Sequence, residues 1–190
     1  MIIALVGMTG SGKSKVADML VEKGFHFIRF GQITLDIVKE RGLEPTEKNE
    51  RPIREAVRKE HGMAAYAILN IPKINKLIEK GNVVIDGLYS WEEYLELKKK
   101  YGKAFICLAV YSSPETRYNR LTSRKYDAEK DSNMRNRPST KEQAQSRDYS
   151  EIENLHKAGP IAMADYTIVN EGNIEELHAK INELLKNMKL

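Results

Sequence analysis

Residues 7–14 of this chain read "GMTGSGKS", and the fixed positions of the Walker A pattern G-x-x-x-x-G-K-[ST] fall on Gly7, Gly12, Lys13 and Ser14. The stretch follows "IIALV" at 2–6, a β-branched apolar run that predicts a buried strand, and opens "KSKVADMLVEKG", whose spacing predicts a helix ending at Gly24. An ordinary strand-to-helix turn does not need Gly, Lys and Ser at these offsets together. A phosphate cradle does. Gly7, Gly10 and Gly12 let the backbone adopt positive φ angles and let phosphate oxygens approach the loop's N–H groups, Thr9 and Ser11 included. The helix beginning near Lys13 adds its positive dipole end. In such a loop Lys13 reaches the β- and γ-phosphates of a nucleotide and the Ser14 hydroxyl ligates Mg²⁺.

Around this loop the chain alternates. Apolar runs at 2–6, 25–30 ("FHFIRF"), 83–86 ("VVID"), 104–111 ("AFICLAVY") and 166–169 ("YTIV") predict strands, and helical spacing fills 13–23, 32–41, roughly 50–80, 91–100, 113–124 and 173–188. That rhythm predicts an α/β fold: a five-stranded parallel sheet with helices on both faces and ligands at the carboxyl ends of its strands. Two intervals break it. Residues 32–76 are long and largely helical with a polar turn at "RGLEPTEKNERP", and residues 125–148 are charged and irregular. Polar stretches of that length in a compact domain have functional reasons, and both would rise above the strand ends, one on each side of the cradle. "LHKAGPIAMADY" (155–166) reads as a Gly-Pro turn returning the chain to the last strand.

Composition bounds the setting. With 190 residues, 41% of them hydrophobic, the chain is long enough for one α/β core. Its single cysteine, Cys107, lies in a predicted buried strand, so no disulfide framework exists and a reducing cytoplasm is expected. The first apolar run is too short for a signal peptide, and no stretch approaches a membrane span. The net charge of +4 is small, but basic residues gather between Arg117 and Arg147. The stretch reads as a nucleic-acid patch, as a solvated helix and loop, or as an arginine-bearing lid over a polyphosphate, and its sparse aromatic residues support base stacking only weakly. His26 and His61 have no Cys or carboxylate partners at ligand spacing, and Trp91 is expected to pack a helix start.

Taken together, the loop at residue 7, the helical insertion after the second strand, "VVIDG" at 83–87, "SSPETRYNRL" after the fourth strand, the arginine-bearing stretch and the closing "ADYTIVNEG" resemble the nucleoside monophosphate kinase and dephospho-coenzyme A kinase superfamily. Within it the chain is most similar to the adenylate-kinase-like group of small archaeal and bacterial kinases. The resemblance spans nearly the whole chain and implies a single P-loop kinase domain: a core of residues 1–31, 77–124 and 156–190, an acceptor-binding insertion at 32–76, and a lid at 125–155. It implies ATP as co-substrate with Mg²⁺, a small nucleotide-like acceptor, and a monomer or homodimer. Arg120 and Arg124 occupy places that in adenylate kinases touch the ATP base and phosphates. Arg135, Arg137 and Arg147 stand for lid arginines that clamp the transferring phosphoryl group, and "NEG" (Asn170 to Gly172) resembles the loop at the adenine edge.

The departures bear on the acceptor. Where many adenylate kinases hold the acceptor phosphate with two arginines, this chain has Leu35 and Tyr89. Losing both forks removes fixed bidentate partners for AMP. Arg54 and Arg58 in "RPIREAVRKEHG" could substitute beside Tyr89, or the acceptor is another molecule. Asp86, at the end of a predicted buried strand, would order the water shell of Mg²⁺ or take a proton from a hydroxyl acceptor, as in a dephospho-coenzyme A kinase. Its structural alternative is a cap on the following helix. The competing function is a nucleotide switch or regulatory ATPase. A GTPase would need D-x-x-G after a strand and N-K-x-D, and "NKLI" at 75–78 lacks the Asp. A motor or AAA-type ATPase needs oligomer and sensor segments for which the chain has little room.

Overall fold

The computed structural model describes residues 1–125 and 138–189. Five strands, β1 (Ile2–Val6), β2 (His26–Arg29), β3 (Val83–Asp86), β4 (Phe105–Tyr111) and β5 (Tyr166–Val169), form one sheet in the order β2-β3-β1-β4-β5. Every pairing is parallel. Parallel strands need crossovers, and these put helices on both faces, so the central strands must be apolar on both sides. All of β1 is buried accordingly. Its alternating side chains feed two cores: Ile2, Ala4 and Val6 pack with Tyr66, Ile74 and Leu97 on one face, while Ile3 and Leu5 pack with Val16, Leu20, Leu177 and Ile181 on the other.

The helices follow in chain order. α1 (Lys13–Glu22) leaves the cradle, and α2 (Gln32–Glu40), α3 (Glu47–His61) and α4 (Ala65–Ile78) fill the long connection between β2 and β3. α5 (Trp91–Tyr101) and a short 3₁₀ turn (Gly102–Ala104) lead to β4, and α6 (Pro114–Thr122), α7 (Lys141–Leu155) and α8 (Ala158–Ala162) lie between β4 and β5. α9 (Ile174–Asn187) follows β5. Trp91 does open α5, with its ring stacked on Tyr94 at 5.1 Å between centroids.

Three sequence expectations are corrected. The helical interval at 50–80 is two helices, broken at Gly62, whose φ of 80° ends α3. Of the interval 125–148, residues 141–148 are not irregular but belong to α7: Thr140 caps this helix through the Gln143 N–H, and the Gln143 side chain returns to the Thr140 N–H. The charged surface of this helix hid its period, yet "TKEQ" spells the capping box. The Gly-Pro turn is the short helix α8, in which Pro160 sits where a helix has no internal partner for an N–H, so the ring costs no hydrogen bond.

Candidate functional site

The cradle lies where the sheet divides, since β1 is flanked by β3 on one side and β4 on the other, and the connections leave these strands toward opposite faces. Gly7 has φ 139° and Gly12 φ 100°, both outside the range comfortable for a residue with Cβ. A Cβ at Gly7 would run into the Val110 carbonyl, and one at Gly12 into the Asn170 amide. The loop therefore closes against β4 and the end of β5. Gly12 caps α1 without a side-chain hydrogen bond, its carbonyl accepting from the Lys15 and Val16 N–H groups at 2.9 and 3.2 Å. Lys13 folds over this curl and donates to the carbonyls of Gly7 (2.9 Å) and Met8 (3.1 Å). Ser11 Oγ is buried inside the curl with no hydrogen-bond partner among the described residues.

A polar frame holds the loop from behind. The Asn170 side-chain amide donates to the Ser11 carbonyl at 2.9 Å. Ser112 Oγ donates to the Asn170 carbonyl, and Arg120 reaches Ser112 Oγ (3.0 Å), the Asn170 carbonyl (2.9 Å) and the Gly172 carbonyl (3.3 Å). Arg120 and Asn170, expected at the nucleotide, thus direct these bonds to the loop and to the ends of β4 and β5. Arg124 follows the C-cap of α6, Ser123. Arg135 and Arg137 lie outside the described residues. The centre of the frame is a residue the sequence reading did not single out. Arg117 is buried at 4% exposure and donates to the carbonyls of Thr9 and Ser112, both at 3.1 Å, while pairing with Asp148 of α7 at 2.7 Å.

On the other side of the cradle the end of β3 brings up Asp86, 8% exposed and in register with Leu5 of β1 and Arg29 of β2. Asp86 does not cap the next helix. Ser90 does, in a reciprocal box with Glu93. Tyr89 stands against Gly87, and the Lys157 ammonium lies 4.7 Å from the centre of its ring. Lys157 is 1% exposed and bonds Glu151 at 2.5 Å, while Arg147 Nε holds the second oxygen of Glu151 at 2.9 Å. Burial, and then Lys157, push the Lys13 ammonium down to about 7 against the pull of Asp86 and Glu151. Burial alone would raise the Glu151 carboxyl, but Lys157 and Arg147 outweigh it and hold it well below the usual carboxylate range. Burial raises the Tyr89 phenol. The loop, the end of β3 and the α7–α8 joint therefore share one electrostatic field.

A family model described as an AAA domain matches residues 3–153. The UPF0200 protein of Thermococcus gammatolerans is 33% identical over 188 residues, covering 98% of this chain and 94% of that protein. The UPF0200 protein of Sulfurisphaera tokodaii is 37% identical over 187 residues, covering 97% and 96%. The chain belongs to the UPF0200 family of AAA-domain proteins. Kinases are among the folds it matches. A shikimate kinase from Bacteroides thetaiotaomicron has a TM-score of 0.62 at 16% identity, covering 100% of this chain and 99% of that one. A gluconokinase from Sinorhizobium meliloti has a TM-score of 0.54 at 15% identity, covering 98% and 94%. At these identities the likeness is one of fold: this UPF0200 member has the P-loop kinase architecture, and no helix among its described residues is long and apolar enough to cross a membrane.

The remaining expected residues of this UPF0200 protein lie on α3. Arg54 pairs with Glu50 at 3.3 Å on its own helix. Arg58 stacks over Tyr66 of α4 at 4.9 Å and stands 3.9 Å from Glu93 Oε1. Tyr66 in turn shares a 2.6 Å hydrogen bond with Thr34 of α2, so Arg58 touches the bundle that the long connection forms. Glu93 is fully buried. Its Oε2 accepts from the N–H groups of Tyr89 (2.8 Å) and Ser90 (3.3 Å), and its Oε1 has no hydrogen-bond partner among the described residues.

Burial pushes the Glu93 carboxyl from 4.5 up to about 7, and that sets a pH dependence. Below about 4.5 folded and unfolded chains both keep the proton; between there and 7 only the folded chain keeps it, so stability falls as pH rises. Above 7 the charge-burial cost is complete, at about 3 kcal/mol. Glu93→Gln retains the acceptor oxygen and removes the charge. Compared with wild type, it is expected to gain about 2–3 kcal/mol more at pH 8 than at pH 5, read by urea unfolding. An identical difference at both pH values would rule this account out.

Proposed function

We propose that this chain is an ATP-dependent phosphotransferase that moves the γ-phosphoryl group to a small nucleotide-like acceptor. The observation that carries this reading is a chain of contacts: Arg147 and Lys157 share Glu151, Lys157 lies 4.7 Å from the Tyr89 ring, Tyr89 packs on Gly87 next to Asp86, and Asp86 is in register with Leu5, two residues before the cradle. Phosphoryl transfer needs positioning and charge neutralisation more than covalent chemistry. A loop that only reports nucleotide state has no need of a second and third cation brought over it from α7 and the α7–α8 joint.

In this reading residues 7–14 hold the triphosphate, with the loop N–H groups and the Ser11 hydroxyl facing it. Ser14 and Asp86 supply one hydroxyl and one carboxylate, a donor set that suits Mg²⁺, which keeps most of its waters and leans on the substrate's phosphates. The metal, when bound, neutralises charge on the phosphoryl oxygens. Helices α2 to α4 form the acceptor-binding insertion, with Arg54, Arg58 and Tyr89 facing the acceptor. The segment 125–155, which includes α7, acts as lid and keeps water from the phosphoryl group until the acceptor is seated.

One observation favours a hydroxyl acceptor as a second reading. Asp86 is not used as a helix cap and stands in the field of Lys13, where a carboxylate can receive a hydroxyl proton. The shikimate kinase and gluconokinase neighbours make shikimate and gluconate natural probes beside nucleotides. ADP production from ATP and Mg²⁺ is therefore to be measured across nucleoside monophosphates, nucleosides, dephospho-coenzyme A, shikimate and gluconate, each against a blank. Stimulation by one class is expected. Slow hydrolysis that no acceptor changes would favour a nucleotide switch instead.

A further inference from the structure

The cations over the cradle are held by an anion the protein supplies itself. Glu151, 6% exposed, offers one carboxylate oxygen to Lys157 and the other to Arg147, at 2.5 and 2.9 Å. Two cations, each on a separate oxygen of one anion, is also how a terminal phosphoryl group is gripped. Lys157 is placed at a cost: an ammonium at 1% exposure loses its hydration, and replacing a buried ion pair as a whole by apolar residues of similar volume is about neutral or stabilising. Such a lysine fits a site where an anion arrives. Lys157 lies 4.7 Å from the centre of the Tyr89 ring, Tyr89 packs on Gly87 beside Asp86, and Asp86 is in register with Leu5, two residues before the loop that Lys13 folds over. Lys13 in turn is folded onto two loop carbonyls. Among the described residues, Lys13, Lys157 and Arg147 therefore each have an internal partner.

We propose that Lys157 and Arg147 form a phosphoryl subsite beside Lys13, and that Glu151 fills it as an internal anion that the terminal phosphoryl group of a bound polyphosphate displaces. The proposal rests on the polyphosphate-binding part of the function proposed above and is independent of the acceptor. Glu151 cancels one positive charge of the site and competes for its ligands, so the protein binds polyphosphate less tightly than the bare cations would. Displacement also links nucleotide to helix. Glu151 stands one turn along α7 from Asp148, the partner of Arg117, so a shift of Glu151 acts on the helix whose neighbouring turn is tied to the Thr9 carbonyl.

The test is calorimetric binding of inorganic tripolyphosphate to the full chain and to Glu151→Gln, Lys157→Met and the double variant. Glu151→Gln is expected to bind roughly five- to tenfold tighter, and Lys157→Met at least about tenfold weaker. In the Lys157→Met background the gain from Glu151→Gln is expected to shrink to about twofold or less, because the carboxylate then has one fewer ligand to release. Unchanged or weaker binding by Glu151→Gln overturns the proposal. So does a gain that persists in full without Lys157, which would be a through-space effect. If thermal melting shows Lys157→Met unfolded, Lys157→Gln carries the test: it removes the cation and keeps a polar side chain, so its affinity is expected at least about tenfold below wild type, and affinity within about twofold of wild type counts against the subsite. Acceptor-dependent turnover is measured alongside. Turnover with an unresponsive Glu151→Gln removes the subsite and leaves the kinase; a responsive Glu151→Gln without turnover does the reverse.

Discussion

Lys13→Ala is expected to lower acceptor-dependent ADP production by about 10³-fold or more, with the protein still folded. The reason is where the ammonium sits. It is the cation closest to the loop backbone, bonding the Gly7 and Met8 carbonyls, and it shares the field of Asp86, Glu151, Lys157 and Arg147. As a phosphoryl group passes from donor to acceptor, its oxygens carry charge that water would otherwise solvate, and a fixed ammonium replaces that water without reorganising. Stability should move the other way. Burial works against charging this lysine, so deleting it removes a desolvation cost and the melting temperature is expected to hold or rise. That separation distinguishes a catalytic loss from simple unfolding. Lys13→Arg is not expected to rescue, because a guanidinium fork does not fit the space of a compact ammonium between two loop carbonyls. Wild-type turnover in Lys13→Ala would defeat the assignment of a transfer site to this loop.

The division between what the sequence discloses and what it conceals follows the range of the interactions involved. "GMTGSGKS" is legible because its chemistry is local: three glycines, a lysine and a serine act through backbone they carry themselves. The strands are legible because a parallel sheet buried on both faces leaves largely apolar runs, as in "IIALV" and "VVID". Lys157 is not legible. It stands in "LHKAG", where nothing nearby marks it, and its burial is set by Glu151, Tyr89 and the approach of α7 to the end of β3. Arg117 was equally hidden, since its partners Thr9 and Asp148 are distant in the chain, while Arg120 drew notice by its place in a family pattern. One signal was available: "TKEQ" marks the start of α7, and with that helix in register Arg147 and Glu151 fall one turn apart on one face. Asn170 shows the opposite limit. Its place in the loop after β5 was predicted correctly, but whether its amide meets a ligand or the Ser11 carbonyl depends on a contact 159 residues away.

The second large effect concerns Arg117→Ala, which is expected to cost about 3–5 kcal/mol and to lower the melting temperature by roughly 10 °C. The Arg117 and Asp148 side chains are only 5% and 9% exposed, and their ion pair is 2.7 Å long. One Asp148 oxygen also accepts from Tyr118, and the other has no hydrogen-bond partner among the described residues. Removing the guanidinium therefore leaves a buried carboxylate without its cation and two carbonyls, of Thr9 and Ser112, without their donor. The loss is one of compensation more than of attraction, because bringing two charges out of water consumes most of what their pairing returns. It follows that Arg117→Leu with Asp148→Leu should recover most of the stability that Arg117→Ala loses, although it has no ion pair at all. Function should not recover with it. The Thr9 carbonyl would still lack its tether, the cradle would be looser, and tripolyphosphate affinity is expected to stay roughly tenfold below wild type. A double variant that regained stability and affinity together would show that Arg117 only fills space; one that regained neither would show that Asp148 is needed by α7 for itself. Stability restored without affinity is the result expected if this buried pair exists to fix the cradle against α7.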